Sequence, residues 1–179
     1  MRKFLYIIIA LVTALTASQV HAATQSCAPA QQTQSTKQTK RNIMELPLFE
    51  RAVLIIKKFE TLHNPKHWPY VGYGHQVQPG EPYRRGCQLT EKQADALLRK
   101  DLRKFCALYR HMGRDSILLA ALAYNCGPGV VNKSTAYKQL KRGDRNIFKS
   151  YASHCRYKGK RHKGLLTRRL TELAALFIP

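Results

Sequence analysis

Pro47-Leu48-Phe49-Glu50-Arg51-Ala52-Val53-Leu54-Ile55-Ile56-Lys57-Lys58-Phe59-Glu60 is the stretch on which the fold turns. Its apolar residues Leu48, Phe49, Ala52, Val53, Ile55, Ile56 and Phe59 fall at helical spacing, and Pro47 suits a first helical turn. The spacing predicts a helix that ends on Glu60. The pattern then changes. Pro65, Pro69, Gly72, Gly74, Pro79, Gly80, Pro82 and Gly86 break any helix, while Trp68, Tyr70, Val71 and Tyr73 favour strand. A small antiparallel sheet or hairpin is expected over residues 61–89.

Downstream the chain reads as helical. Thr90-Glu91-Lys92-Gln93 is a capping box, opening a helix that runs through Ala94, Leu97, Leu98 and Leu102 to about Tyr109. A second helix starts at Asp115 or Ser116. Its residues Ile117 to Tyr124 are apolar on all sides, which places it at the centre of a core. Gly127-Pro128-Gly129 is expected to stop it. Ser134 caps a short helix to about Lys141, Gly143-Asp144 precedes another near Asn146 to Cys155, and a last helix covers about Gly164 to Phe177. The class is α+β, mostly α, with no internal repeat.

Upstream, Arg2 and Lys3 precede an apolar run from Phe4 to Ala17, and Val20-His21-Ala22 offers small residues where a signal peptidase cuts. Residues 1–22 read as a secretory signal peptide. The run is shorter than the ~20 residues that span a bilayer as a helix; a retained anchor is the alternative. A lipoprotein at Cys27 is a further one, although Thr24-Gln25-Ser26 is a poor lipobox. Residues 23–41, rich in Gln, Thr, Ser and Ala, have little to bury and read as a disordered linker. A folded domain is expected over 42–179, in a secreted or periplasmic protein.

The formal charge is +21, or about +19 once Arg2 and Lys3 leave with the signal. Such a chain seeks a polyanion, and the export signal favours an anionic cell envelope over nucleic acid. No helix-turn-helix, RRM or zinc-finger signature is present. Of the five cysteines, Cys87, Cys106, Cys126 and Cys155 lie in the domain and allow three pairings if oxidised. Cys126, in an apolar run, also reads as a buried thiol. No CxxC spacing occurs, so no metal site is expected.

Few acids are available for chemistry. Glu45 and Glu50 stand near the domain edge, and Glu91, Asp95, Asp101, Asp115 and Asp144 fall at helix starts or on faces read as exposed. Glu60 differs, closing an apolar helix just before the sheet segment. A carboxyl half buried among apolar groups has its ionised form disfavoured, as a general acid requires.

Glu60, Val71-Gly72-Tyr73-Gly74-His75, Leu89-Thr90-Glu91-Lys92-Gln93-Ala94, Ala123-Tyr124-Asn125-Cys126-Gly127, Ser134-Thr135, Leu140-Lys141-Arg142-Gly143-Asp144 and Gly164-Leu165-Leu166-Thr167-Arg168-Arg169 together resemble the phage-type lysozymes, glycoside hydrolase family 24. The blocks keep the family's order over nearly all of residues 47–177. The resemblance implies a lysozyme-like two-lobed fold, with a small antiparallel sheet lobe and a helical lobe flanking a cleft. It implies hydrolysis of the β-1,4 bond between N-acetylmuramic acid and N-acetylglucosamine in peptidoglycan glycan strands, by a monomer without a cofactor, with Glu60 as catalytic acid. His75, Tyr124, Asn125 and Thr135 match positions expected to bind substrate or shape the cleft. Ser134 is read as a helix cap, and Arg168 or Arg169 as a partner for Glu60 or part of a solvated basic face.

The chain departs from the family where a second catalytic group is expected. An aspartate or cysteine, then a threonine, usually follow the glutamate; here no acid lies between Glu60 and Glu81. Counting back from His75 puts Asn64 in the aspartate's place, and Tyr70 stands where the threonine is expected. His67 and His63 are the candidate replacements, since a neutral imidazole can take a proton from water. Tyr70 is a candidate for orienting water or sugar. Assistance by the sugar's own N-acetyl group is a further route. A catalytically impaired peptidoglycan-binding module is the competing reading.

Overall fold

The computed structural model describes residues 42–179; the signal and linker expected over 1–41 lie outside them. α1 (Leu48–Glu60) buries Ala52, Val53, Ile55 and Ile56 on one face, and Pro47 holds the N-cap position. It ends abruptly because Thr61 takes φ 57°, a left-handed conformation that costs a β-branched residue about 1–3 kcal/mol. The Thr61 hydroxyl donates to the Glu60 carbonyl at 2.6 Å. The chain therefore turns directly after Glu60, and the His63 amide donates to the Gly72 carbonyl at 2.8 Å.

The expected sheet is a minimal hairpin. β1 (Tyr70–Val71) pairs antiparallel with β2 (His75–Gln76), in the register Tyr70 to Gln76 and Val71 to His75. Two glycines make its turn. Gly72 has φ +58°, and a Cβ there would lie 3.4 Å from Ala94; Gly74 has φ +89°, and a Cβ there would lie 3.5 Å from Glu60 Oε2. Both need a residue free to adopt positive φ.

α2 (Glu91–Leu108) starts with the full capping box between Thr90 and Gln93. α3 (Ser116–Cys126) is buried from Leu118 to Ala123 and packs against α2, α1 and the last helix. The Gly-Pro-Gly segment does end α3, with Gly127 at φ 80°, but Pro128 at once starts α4 (Pro128–Lys133). Proline is suited to a first helical position, so the signal read as a stop is also a start. Ser134 caps α5 (Thr135–Lys141) through the Tyr137 amide, and α6 is short (Phe148–Ala152).

A second hairpin, unforeseen from sequence, follows: β3 (Arg156–Tyr157) against β4 (Lys160–Arg161). His162 caps α7 (Lys163–Leu176), accepting from the Leu165 amide. Cys87 is disulfide-bonded, whereas Cys106, Cys126 and Cys155 are free thiols. The domain's four cysteines thus form no pair among themselves. Among the described residues no helix is long and apolar enough to cross a membrane, and no cluster of His, Cys, Asp or Glu is placed to hold a metal.

Candidate active site

Glu60 lies at the C-terminal end of α1, where its carboxylate meets α7. Arg168 Nη1 donates to Glu60 Oε1 at 2.5 Å, and the Arg168 Nε donates to Glu172 at 3.0 Å. Arg169 does not reach Glu60. It donates to Asn125 Oδ1 at 3.0 Å and lies 3.2 Å from Glu172. Asn125 in turn points its amide nitrogen at Glu60 Oε1, 3.5 Å away. Tyr151 donates its hydroxyl to the other Glu172 oxygen at 2.9 Å. Arg168, Arg169 and Glu172 are 2%, 0% and 0% exposed, so α7's arginines are no solvated face. Two guanidinium groups and two carboxylates cancel, as burial of ions requires. Burial works against the Arg168 charge, but Glu60 and Glu172 outweigh it.

A cleft of about 520 Å³ opens beside this group. Tyr70 and Gln76 from the first hairpin, Lys104 and Phe105 from α2, and Tyr124 and Asn125 from α3 contribute to its walls. Gly74 connects cleft and carboxylate, lining the one and packing on the other. The Tyr124 hydroxyl donates to the Tyr73 carbonyl at 2.9 Å; burial foremost, with the charges of Asp101 and Glu60, pushes its pKa well up. Asn125 thus links Arg169 to Glu60, its amide oxygen accepting from the one and its amide nitrogen facing the other. Thr135 is exposed at the start of α5 and outside the cleft lining; the structure does not bring it to the others.

His75 also lines the cleft, with both ring nitrogens taken. Nδ1 contacts Asp101 Oδ2 at 2.6 Å and Nε2 contacts Glu81 Oε2 at 2.7 Å. The Asp101 bond chiefly, with that to Glu81, raises the imidazole's pKa despite its burial. His75 is therefore a tie between β2, α2 and the loop after β2, bonded to a carboxylate on each side. Asp101, read from sequence as exposed, is buried, and so is Asp115 beneath Arg145.

The three remaining candidates lie together. The His63 ring is 4.7 Å from that of His67 and meets Tyr70 edge-on at 6.4 Å. Their situations differ. His67 Nδ1 accepts the Asn64 amide at 3.1 Å, while the Asn64 side chain accepts from the Lys66 amide: a reciprocal capping box on the turn Pro65–His67. A neutral His67 so bound carries its proton on Nε2 and has no free lone pair. Asn64 gives its backbone amide and its side-chain oxygen to the same cap. His63 Nδ1 is enclosed without a hydrogen-bond partner. Burial, then the neighbouring His67, lowers the His63 pKa, against the pull of the Glu60 charge. Tyr70 is half exposed at the cleft wall.

Glu172, Tyr151, Asp101 and Glu81 were not singled out by sequence reasoning. The signal for Glu172 was there: it follows Arg168 by four positions and Arg169 by three on one helix, the spacing of side chains that meet.

The phage lysozyme family model matches residues 57–172, and the chain belongs to that family. The endolysin from Escherichia coli O157:H7 phage FAHEc1 shares its fold at a TM-score of 0.61 and 24% identity, covering 73% of this chain and 93% of that one. The muramidase domain of SpmX from Asticaccaulis excentricus matches at 0.60 and 23% identity, over 72% of this chain and 95% of that one. No curated protein matches the chain by sequence.

Proposed function

We propose that this member of the phage lysozyme family is an exported muramidase. It hydrolyses the β-1,4 bond between N-acetylmuramic acid and N-acetylglucosamine in peptidoglycan, with Glu60 as general acid. The observation that carries the reading is the Glu60 carboxylate, gripped by Arg168 and Asn125 at the edge of a cleft. The names of the two solved relatives, an endolysin and a muramidase domain, agree with it. Export is supported by the basic start, apolar run and small residues of 1–22.

In this reading Glu60 gives its proton to the glycosidic oxygen as the C1–O bond breaks. Water attacks C1 from the other face and gives its proton to His63, which burial keeps neutral near physiological pH. Attack by water without a covalent intermediate inverts the anomeric centre. Tyr70 orients water or sugar from the cleft wall. His67 supports the loop through its cap. His75 and Tyr124 shape the cleft, their polar atoms being already bonded to protein.

The test is digestion of purified peptidoglycan by the full chain and by Glu60→Gln, with fragments read by mass spectrometry. Fragments ending in reducing N-acetylmuramic acid are expected from the wild type, with the rate down on the order of 10²–10⁴-fold in Glu60→Gln. A wild type that pellets with peptidoglycan but releases nothing would replace this reading with a binding module.

A further inference from the structure

The strongest unexplained feature lies away from the cleft. Between Asp144 and Glu172 the chain has no acidic residue and nine lysines and arginines. Arg145 pairs with Asp115, and Arg168 and Arg169 are spent inside the domain. Lys149, Arg156, Lys158, Lys160, Arg161 and Lys163 form no ion pair among the described residues. Residues 156–164, which include the second hairpin, are exposed without interruption. Tyr157 stands 61% exposed on the same hairpin, with the Lys158 ammonium 5.5 Å from its ring.

The hairpin runs directly into α7, whose outward side continues the surface. At 100° per residue, Lys163, Thr167, Leu170 and Ala174 share one stripe, and all four are exposed. Leu170 and Ala174 join Phe148 of α6 in an apolar groove of about 330 Å³, with Phe148 59% and Leu170 38% exposed. The surface thus changes from a dense cationic end to an apolar end within one helix length. Arg168, Arg169 and Glu172 project from the opposite side of α7, so this face points away from Glu60.

A soluble polyanion would be served by the cations alone. Exposed Phe, Tyr and Leu beside unpaired Lys and Arg suit an interface that is charged at its surface and apolar just beneath. We propose that this face, built from the second hairpin, the outer stripe of α7 and Phe148, docks the protein on an anionic phospholipid surface. Lysines and arginines then meet headgroup phosphates, Phe148, Tyr157 and Leu170 enter the headgroup boundary, and the cleft stays open to the wall. The proposal does not depend on the activity proposed above.

Flotation with phosphatidylglycerol-containing vesicles tests it, using the full chain so that all variants share the same N-terminal apolar run and only differences between them are read. Matching thermal unfolding shows that each exposed-site variant folds. Lys158→Gln/Lys160→Gln/Arg161→Gln is expected to weaken binding on the order of a hundredfold at low salt. Phe148→Ser/Leu170→Ser is expected to lose most of the binding that the wild type retains in high salt, where headgroup charge is screened. Wild-type affinity in the triple variant would overturn the proposal. So would wild-type vesicle binding by Phe148→Ser/Leu170→Ser together with equal loss of DNA and vesicle binding in the triple variant, which marks a general polyanion contact.

Discussion

Glu60 sits between two unlike walls. On the α7 side the groups are charged, buried and ion-paired: Arg168 with Glu60 and Glu172, Arg169 with Glu172 and bonded to Asn125, and Glu172 also to Tyr151, while Arg168 Nη2 and Arg169 Nε keep no hydrogen-bond partner. On the side of the 61–70 loop there is no acid. The groups are two imidazoles and a phenol, partly open to solvent. A group held among buried ionic partners is fixed in position by them, whereas an imidazole open to solvent exchanges protons near neutral pH. The α7 wall is thus suited to holding a carboxylate still, and the loop wall to moving a proton.

The largest effect expected from breaking this contrast is on the α7 side. Glu172→Gln leaves Arg168 with Glu60 as its one carboxylate and Arg169 with no carboxylate among the described residues, deep in the domain. Removing one partner of such a set costs about 3–5 kcal/mol. A correspondingly large fall in unfolding free energy is expected from denaturant titration. A loss below about 1 kcal/mol would show that water reaches the arginines and that this wall is no more rigid than the other.

The loop wall is expected to respond in rate rather than in stability. His63→Gln should lower kcat/KM on the order of a hundredfold, with little change in unfolding midpoint. The acid-side fall of the pH profile, which in the wild type lies below the ordinary imidazole value because burial depresses His63, should vanish with it. His67→Asn removes a cap, not a base, and should retain that limb. The reverse pattern, with the limb surviving in His63→Gln and lost in His67→Asn, would transfer the role to His67 and require its cap to open during turnover.

These differences mark what the sequence could disclose. α1, the capping box of α2, the apolar α3 and the body of α7 are legible because periodicity and capping are local. Glu60 stands out because it ends an apolar helix. The roles of Arg168, Glu172 and Asp101 are not legible in the same way, since whether a charge is buried depends on what packs across from it. His63 and His67 look alike as loop histidines; only the amide of Asn64, closing a turn on one ring, separates them. The second hairpin escaped notice because Arg-Tyr-Lys-Gly-Lys-Arg has no apolar alternation to mark strands.

The smallest effect, and the one that sharpens the comparison most, concerns His75. It belongs to the hairpin that follows the loop wall, yet it is answered like the α7 wall, with a carboxylate on each nitrogen. Its pKa is raised where that of His63 is lowered. Folded His75 therefore holds its proton more tightly than the unfolded chain does. The stabilisation is complete below the unfolded value near 6.5 and is lost as pH rises through the higher folded value. The partners carry the opposite sign. Burial pushes the Asp101 carboxyl up, but its bonds to His75 and Lys104 hold it below its ordinary value, and Glu81 is lowered likewise. Their contribution is lost as pH falls through those depressed values. The tie is complete only between the ordinary carboxylate range and the ordinary imidazole value. Thermal unfolding from pH 4 to 9 should show a midpoint that declines on the alkaline side, and His75→Gln should flatten that decline while lowering the midpoint at pH 6. The shift should be smaller than that of Glu172→Gln, because only one of the three groups changes charge over that range. An alkaline decline that persists unchanged in His75→Gln would mean that other groups cause it and that the proton on His75 adds nothing to the stability of the fold.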